Sequence, residues 1–184
     1  LFIVKKEAKL RLLSKLLAQY HGSVLLFSRT KHNARKITMS IRDMGYSAAE
    51  IHSNRSLSQR REALDGFKSG RFKVLVATDI AARGIDVTGI ELVINYDLPE
   101  DAQIYVHRIG RTARAGCRGH AISFATPDQS RDVRDIEKLI RSTLPVSKHP
   151  EIPSEEFSEL RHEPLRKGVK RHQIQKRYRF RRNY

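Results

Sequence analysis

The chain has 184 residues, with 36 Lys or Arg against 20 Asp or Glu, so its formal net charge is +16 and its pI is about 10.4. The length and an apolar fraction of 39% allow one domain with a buried core, and no apolar run approaches the roughly 18 residues that span a bilayer. The positive excess indicates polyanionic partners such as nucleic acid. A single Cys, Cys117, excludes an internal disulfide framework and a Cys-based zinc site, and it suggests a reducing compartment.

Short apolar strands alternate with amphipathic helices over the first three quarters of the chain. Helical spacing is expected for residues 10–20, 30–45, 56–68, from 100 onward, and again from Thr126 and Pro127. Apolar runs predict strands at residues 23–27, 47–52, 73–77, 91–96 and 120–126. Because the strands are apolar throughout, the pattern predicts an α/β domain with a mainly parallel sheet and helices on both faces. Ligands of such sheets bind beyond the carboxyl ends of the strands.

The string ATDIAARGID follows one of these strands, at residues 77–86. Thr78 and Asp79 leave the strand, and Gly84 permits a turn that returns Asp86 toward the same edge. A carboxylate there can accept hydrogen bonds from ribose hydroxyls, while Thr78 and backbone amides can meet a phosphate. Alternatively, Asp79 caps a helix and Asp86 is a turn residue.

The string HRIGRTARAG, at residues 107–116, contains four potential cations, namely His107, Arg108, Arg111 and Arg114. Arg111 and Arg114 are three positions apart, so both project to one side if they lie at a helix end. Such a pair can hold the oxygens of a phosphoryl group during transfer, and an arginine finger contributes roughly 10³ to 10⁵ in rate. The alternative is a solvated basic helix face.

Together these strings resemble the C-terminal, second RecA-like lobe of the DEAD-box ATP-dependent RNA helicases. VLLFSRTK at residues 24–31 and VINYDLP at residues 93–99 extend the resemblance, which covers roughly residues 1–145 in the family's order. It implies a three-layer RecA-like domain of the P-loop-NTPase type. His107 favours the DEAD-box class over the DEAH class, where Gln is usual, and in style the sequence resembles bacterial members.

The resemblance also implies roles for individual residues. Those expected at the nucleotide are the catalytic fingers Arg111 and Arg114, the ribose ligand Asp86, and the interlobe coupling residues His107, Asp79 and Arg83. Those expected on the RNA sugar-phosphate backbone are Thr30, Lys31, Arg60 and Thr78. For Lys31 and Arg83 a plain surface charge is the alternative.

Two positions depart from the family's pattern. Ser53 follows His52, whereas the family commonly has a His-Gly pair at this point. The Ser53 side chain puts close approach of the RNA backbone in doubt there, although its hydroxyl could donate to a phosphate. Leu57 stands where Gln is common. Since Leu57 shares a helical stripe with Leu64 and Phe67, we expect it to pack into the core.

The sequence supplies only half of a nucleotide site. It contains no GxxxxGK[ST] loop and no Asp-Glu dipeptide, which are the elements that hold phosphates and Mg²⁺. We therefore expect ATP and Mg²⁺ to bind mainly through an N-terminal RecA-like lobe, and this segment alone not to hydrolyse ATP. The alternative function is a non-catalytic RNA-binding or RNA-chaperone module. We expect a cytoplasmic protein with no membrane partner and no metal ligands of its own.

Positive charge is concentrated at the end of the chain. Residues 161–184 contain ten Lys or Arg and one acidic residue, without a steady apolar period, which predicts a disordered or ligand-ordered RNA-binding tail. Aromatic residues among these charges could stack on bases, although a merely solubilising tail is the alternative. Residues 146–160 are predicted as a linker, and residues 1–145 as the folded domain.

Overall fold

The computed structural model describes residues 1–82, 87, 89–112 and 119–158. Within these residues six parallel strands form one sheet in the order β1-β6-β5-β2-β4-β3. The strands are β1 (Phe2–Ile3), β2 (Val24–Phe27), β3 (Ala48–Ile51), β4 (Val74–Ala77), β5 (Leu92–Asn95) and β6 (His120–Ala125). The predicted α/β class with a parallel sheet is confirmed.

The helices of the described residues cover both faces of this sheet. They are a 3₁₀ turn (Lys6–Ala8), α1 (Lys9–Gln19), α2 (Lys31–Asp43), α3 (Leu57–Lys68), α4 (Asp79–Ala82), α5 (Ala102–Ile109) and α6 (Ser130–Ile140). Helices α1 and α2 pack on one face, and α3 to α6 pack on the other. None of these helices is both long enough and apolar enough to cross a membrane.

Burial on both faces explains the continuous apolar strands. In β2, Val24 and Leu26 belong to the core beneath α1 and α2, whereas Leu25 and Phe27 belong to the core beneath α3 and α4. All four side chains are at most 2% exposed. A strand buried in this way shows no alternation of polar and apolar residues, because neither of its faces meets water.

Local capping determines where the helices begin and end. The Thr30 hydroxyl accepts a hydrogen bond from the Asn33 backbone at 3.1 Å, which starts α2 as predicted. Ser56 and Gln59 form a reciprocal capping box at the start of α3. Gly45 ends the α2 region with φ +86°, a conformation that suits glycine.

Three expectations about the elements were wrong. A sixth strand, β1, pairs with β6 through Phe2 and Ile3, but two residues are too few to show a period. Helix α6 begins at Ser130 instead of near Thr126, because the Gln129 backbone and side chain close a turn with Thr126. Leu57 is 62% exposed at the first position of α3, so it does not pack into the core as Leu64 and Phe67 do.

The segment interpreted as a linker packs against the domain as far as it is described. The Ser147 amide donates to the Leu1 carbonyl, and the Glu155 amide donates to the Ile3 carbonyl, so the segment runs beside β1. Ile152 is 4% exposed within the core beneath α1. Contacts therefore continue beyond residue 145, because the open side of β1 offers backbone groups for pairing.

Candidate functional site

A small cavity of about 50 Å³ lies at the carboxyl edge, where the loop after β4 meets the end of α5. Its lining includes three residues predicted from the two sequence strings, Asp79, His107 and Arg111. Phe27, Ala82, Ile104 and Arg108 complete it. The structure thus brings residues almost thirty positions apart in sequence to one surface.

Arg108 joins the two sides of this cavity. Its Nε and Nη2 donate to the two carboxylate oxygens of Asp79 at 2.6 and 2.8 Å. Its Nη1 donates to Asn95 Oδ1 at 3.0 Å and to the Asp97 carbonyl at 2.7 Å. The guanidinium carbon lies 4.9 Å from the centre of the Phe27 ring. A bidentate pair of this kind fixes orientation as well as distance.

Among the potential cations of its sequence string, Arg108 is buried. It is 2% exposed, and its donors are used inside the domain. His107, the preceding residue, is exposed, and Arg111 follows where α5 ends. The buried Arg108 therefore orients the end of α5 so that His107 and Arg111 line the cavity.

A second polar cluster lies at the ends of β2 and β5, around Asp97. One carboxylate oxygen accepts hydrogen bonds from Ser28 Oγ, the Arg29 amide and Asn33 Nδ2, at 3.1, 3.1 and 3.0 Å. The other accepts from Lys9 Nζ at 3.2 Å. These bonds fix the segment that leads into Thr30 and the start of α2.

The charges of this cluster stabilise one another. Burial opposes ionisation of Asp97, but the Lys9 ammonium and the hydrogen bonds from Arg29 and Asn33 outweigh it, so the pKa of Asp97 is lowered. Burial also lowers the pKa of Lys9, which lies 5.4 Å from the centre of the Tyr96 ring. Burial raises the pKa of Tyr96 to about 12.

The predicted RNA residues lie along the same edge of the sheet, at the ends of neighbouring strands. Thr30 and Lys31 follow β2, and Lys31 Nζ donates to Asn54 Oδ1, after β3, at 3.0 Å. Thr78 follows β4 and is buried, with its amide bonded to the Ile51 carbonyl. The loops after β2, β3 and β4 lie side by side, because β4 pairs with both β2 and β3.

Arg60 connects this edge to the segment that contains Asp79. Its Nη2 donates to the Ala81 carbonyl in α4 at 3.3 Å, and the residue remains partly exposed. The structure therefore places Arg60 between α3 and α4, next to the loops that carry the other predicted RNA residues.

Polar contacts of Glu50 and His52 fix the loop after β3, which contains Ser53. Glu50 pairs with Arg55, and its other oxygen lies 3.6 Å from His52 Nε2. His52 Nδ1 accepts a hydrogen bond from the Asn54 amide at 3.3 Å. Burial lowers the pKa of His52, and the nearby Glu50 carboxylate opposes this shift only in part. Ser53 is exposed at the top of the loop.

Several predicted residues lie outside the described part of the chain. They are Arg83 and Asp86 of the first string, Arg114 of the second, and the whole basic tail from residue 161. Their expected roles stay predictions. For Mg²⁺, no group of three or more His, Cys, Asp or Glu within the described residues is arranged to hold a metal ion.

Sequence reasoning missed the structural partners, which are mainly Lys9, Asn95, Asp97 and the inward side of Arg108. One signal was available, because Asn95 is a polar residue inside an otherwise apolar strand and is completely buried. Buried polar groups require partners, so a buried Asn at a strand end predicts a polar network there. Nothing local distinguished Arg108 from its neighbouring cations.

The all-parallel sheet between two helix layers, with a basic site at its carboxyl edge, defines a RecA-like α/β domain. The family model for the helicase conserved C-terminal domain matches residues 8–116. This chain therefore belongs to the helicase C-terminal domain family, as the C-terminal RecA-like domain of the DEAD-box ATP-dependent RNA helicases.

Relatives and solved structures agree with this assignment. The chain is 45% identical over 138 residues to the ATP-dependent RNA helicase DbpA of Bacillus subtilis, and 44% identical over 133 residues to DEAD-box ATP-dependent RNA helicase 28 of Oryza sativa. These alignments cover 74% and 72% of this chain but only 29% and 17% of the relatives. The chain thus spans less than a third of the length of either relative.

Two solved structures have the same fold. The E. coli DEAD-box protein SrmB, in a complex with regulator of ribonuclease activity A, superposes with a TM-score of 0.76 at 32% identity, covering 83% of this chain and 94% of that one. The C-terminal domain of the DEAD-box protein Dbp5 superposes with a TM-score of 0.71 at 32% identity, covering 79% of this chain and 85% of that one.

Proposed function

We propose that this chain is the C-terminal lobe of an RNA-dependent ATPase that unwinds short RNA duplexes in the cytoplasm. Arg111 and Arg114 contact the γ-phosphate of ATP, and Asp86 binds the ribose. Asp79, His107 and Arg83 couple this nucleotide to an N-terminal RecA-like lobe, which supplies most contacts to ATP and Mg²⁺. The observation that supports this best is the cavity in which His107 and Arg111 stand beside the Arg108–Asp79 ion pair.

The size of that cavity favours a shared site. A volume of about 50 Å³ is far smaller than the roughly 300 to 1,000 Å³ of pockets that enclose a drug-sized ligand. The cavity therefore suits one phosphoryl group at a surface, which a second lobe closes from the other side. In this proposal the guanidinium groups of Arg111 and Arg114 stabilise charge that develops on the transferred phosphoryl oxygens.

RNA binds across the loops after β2, β3 and β4 in this proposal. Thr30, Lys31, Arg60 and Thr78 contact the sugar-phosphate backbone, which gives binding without a fixed sequence. Residues 161–184 add a basic tail that increases affinity for RNA. Ser53 contributes a hydroxyl in place of the close backbone approach that Gly permits.

A chimera tests the nucleotide role. This chain replaces the matching C-terminal region of Bacillus subtilis DbpA, and RNA-stimulated ATP hydrolysis is compared for the chimera and its Arg111→Ala variant. We expect the variant to lose about 10³-fold or more in rate, whereas Arg131→Ala on the exposed side of α6 leaves the rate unchanged. Full hydrolysis by Arg111→Ala would contradict the finger role and favour a non-catalytic RNA-binding module.

A further inference from the structure

The charges of the helices are unequally divided between the two faces of the sheet. Helices α1 and α2 together contain seven Lys or Arg and one acidic residue. Helices α3 to α6 contain the same seven Lys or Arg but six acidic residues. Counted over the helices alone, α1 and α2 therefore carry the larger positive excess, because they lack acids rather than because they have more cations. On α1, Lys9 and Lys15 pair with Asp97 and Glu151 from outside the helices, so the excess is least compensated on α2.

On α2 these charges point outward. His32, Arg35 and Lys36 are exposed, and the spacing of three and four positions places them on one side of the helix. Met39 continues the same side and is 55% exposed. We call these four residues the α2 stripe. The opposite side of α2 is apolar and buried in the core.

The cations of the α2 stripe are not neutralised within the described domain. Among the described residues, no carboxylate lies within ion-pair distance of Arg35 or Lys36. Arg42, in the last turn, differs, because its guanidinium donates two hydrogen bonds to the Ala48 carbonyl. On α6, Lys138 pairs with Asp135, whereas Arg131 and Arg134 also have no carboxylate within ion-pair distance among the described residues. Uncompensated cations on one helix face attract polyanions.

The α2 stripe begins where the predicted RNA edge ends. Thr30 caps α2, and Lys31 is its first residue, so His32 directly follows two residues expected on the RNA backbone. A helix of 13 residues is about 20 Å long. A strand bound at the carboxyl edge can therefore continue along α2 without a break in positive charge.

We propose that the α2 stripe is a second RNA-binding surface, which holds phosphates of a strand as it leaves the carboxyl edge of the sheet. The inference rests on the proposed RNA-binding function, and it adds a surface and a direction to it. Three basic side chains without an aromatic anchor suit phosphate contacts better than the centre of a protein interface, which is depleted in charged residues and enriched in aromatic ones. The contacts are sequence-tolerant, since only phosphates are held.

Paired charge-removal variants of the full chain test this surface. Arg35→Ala with Lys36→Ala removes two positive charges from the α2 stripe. The control, Arg131→Ala with Arg134→Ala, removes two exposed positive charges from α6 on the other face. Binding is measured against salt for oligouridines of about 6 and about 20 nucleotides, which cover the edge alone or extend past it. Thermal unfolding checks that each variant is folded.

We expect an effect that depends on both the length of the RNA and the face of the domain. Each single-strand phosphate contact contributes about 0.7 to the salt slope, so the stripe variant should lower the slope by about 1.4 on the long RNA. At about 0.1 M salt the same relation gives roughly 25-fold weaker binding. The affinity of the stripe variant for the short RNA should stay unchanged. The control variant should bind both RNAs as tightly as the unaltered chain does. Exchanging the two residues, Arg35→Lys with Lys36→Arg, should preserve binding because the charge is kept.

Each other outcome has a clear meaning. Equal losses in the stripe and control variants would show an effect of net charge alone and would overturn the inference. An unchanged salt slope for the stripe variant on the long RNA would also overturn the inference. The proposed RNA-binding function of the chain would not be affected by that result. Failure of the unaltered chain to bind either RNA would overturn both. Polyglutamate binding that requires Arg35 and Lys36, with RNA binding unaffected, would assign the face to an acidic protein instead.

Discussion

Replacing Arg108 with Ala removes the guanidinium that joins the end of α5 to the loop after β4. The side chain is 2% exposed and makes its hydrogen bonds to Asp79, Asn95 and the Asp97 carbonyl. Removing one partner of a buried ion pair costs about 3 to 5 kcal/mol, because the other charge is left without compensation. The Asp79 side chain is 26% exposed, so water recovers part of that loss. We expect about 3 kcal/mol of destabilisation.

Urea unfolding of the chain at pH 7 measures this loss. Arg131→Ala is the matched control, because Arg131 is exposed on α6, and its effect should stay within about 0.5 kcal/mol. The loss in free energy of unfolding for Arg108→Lys should lie between those of Arg108→Ala and Arg131→Ala. An ammonium keeps the charge but cannot make the bidentate bond to Asp79. This ranking separates geometry from charge.

A double-mutant cycle identifies the partner. If Asp79→Ala is combined with Arg108→Ala, the two losses should be strongly non-additive, with an interaction energy of about 1.5 to 3 kcal/mol. A loss below about 1 kcal/mol for Arg108→Ala, or additive losses in the cycle, would refute the reasoning. The site would then have to be oriented by something other than this ion pair.

Three further changes have defined outcomes. Asp97→Asn leaves the buried Lys9 ammonium without its counter-charge, so it should cost about 2 to 4 kcal/mol at pH 7 in urea unfolding. The difference in free energy of unfolding between wild type and Asp97→Asn should narrow at low pH. The narrowing occurs as the pH falls through the pKa of Asp97, which is lowered below the ordinary value near 4. For His52, whose pKa is lowered, the unfolded chain takes up a proton below about pH 6.5 that the folded chain resists, so wild type should lose stability there relative to His52→Gln. Gly66→Ala should lower the melting temperature, because its Cβ would lie 2.5 Å from two ring carbons of Phe72.

Each of these changes has a control. Glu100→Gln alters an exposed carboxylate and should not reproduce the effect of Asp97→Asn. His21→Gln changes a histidine at an exposed position, and its stability should depend on pH as that of wild type does. If the stability of His52→Gln also depended on pH as that of wild type does, the assignment to His52 would be contradicted. Phe72→Ala should remove much of the cost of Gly66→Ala, whereas additive losses would argue against the steric cause.

The sequence predicts the sheet well because β2, β4 and β5 are buried on both faces, which leaves an apolar run bounded by turn residues. It does not predict β1, which has two residues and is recognisable only by its pairing with β6. It also misplaces Leu57, whose helical spacing fits a buried stripe although the first turn of α3 extends past the sheet into solvent. Spacing specifies a side of the helix but not where the core ends.

The candidate site was predicted in part for a similar reason. Parallel strands bring their carboxyl ends to one edge, so polar residues after β2 and β4 had to lie near one another. The position of Asp79 at the cavity follows from that rule, whereas His107 and Arg111 reach the cavity through the packing of α5. The direction of each cation does not, because adjacent positions on one helical turn face different ways. Only the partners of Arg108, which are distant in sequence, show that it points inward.

The inward position of Arg108 has a mechanical consequence for the proposed coupling of nucleotide to RNA. Arg108 bonds to Asp79 on one side and to the Asp97 carbonyl on the other, while the Asp97 carboxylate holds the Arg29 amide just before Thr30. Each link is a direct hydrogen bond, between side chains for Arg108 and Asp79 and between side chain and backbone for the other two. A displacement of Asp79 that moves Arg108 therefore also moves the segment leading to the RNA edge. In the chimera, Asp97→Asn should therefore weaken the stimulation of ATP hydrolysis by RNA more than it weakens hydrolysis without RNA. Equal loss of both rates would show that Asp97 only stabilises the fold.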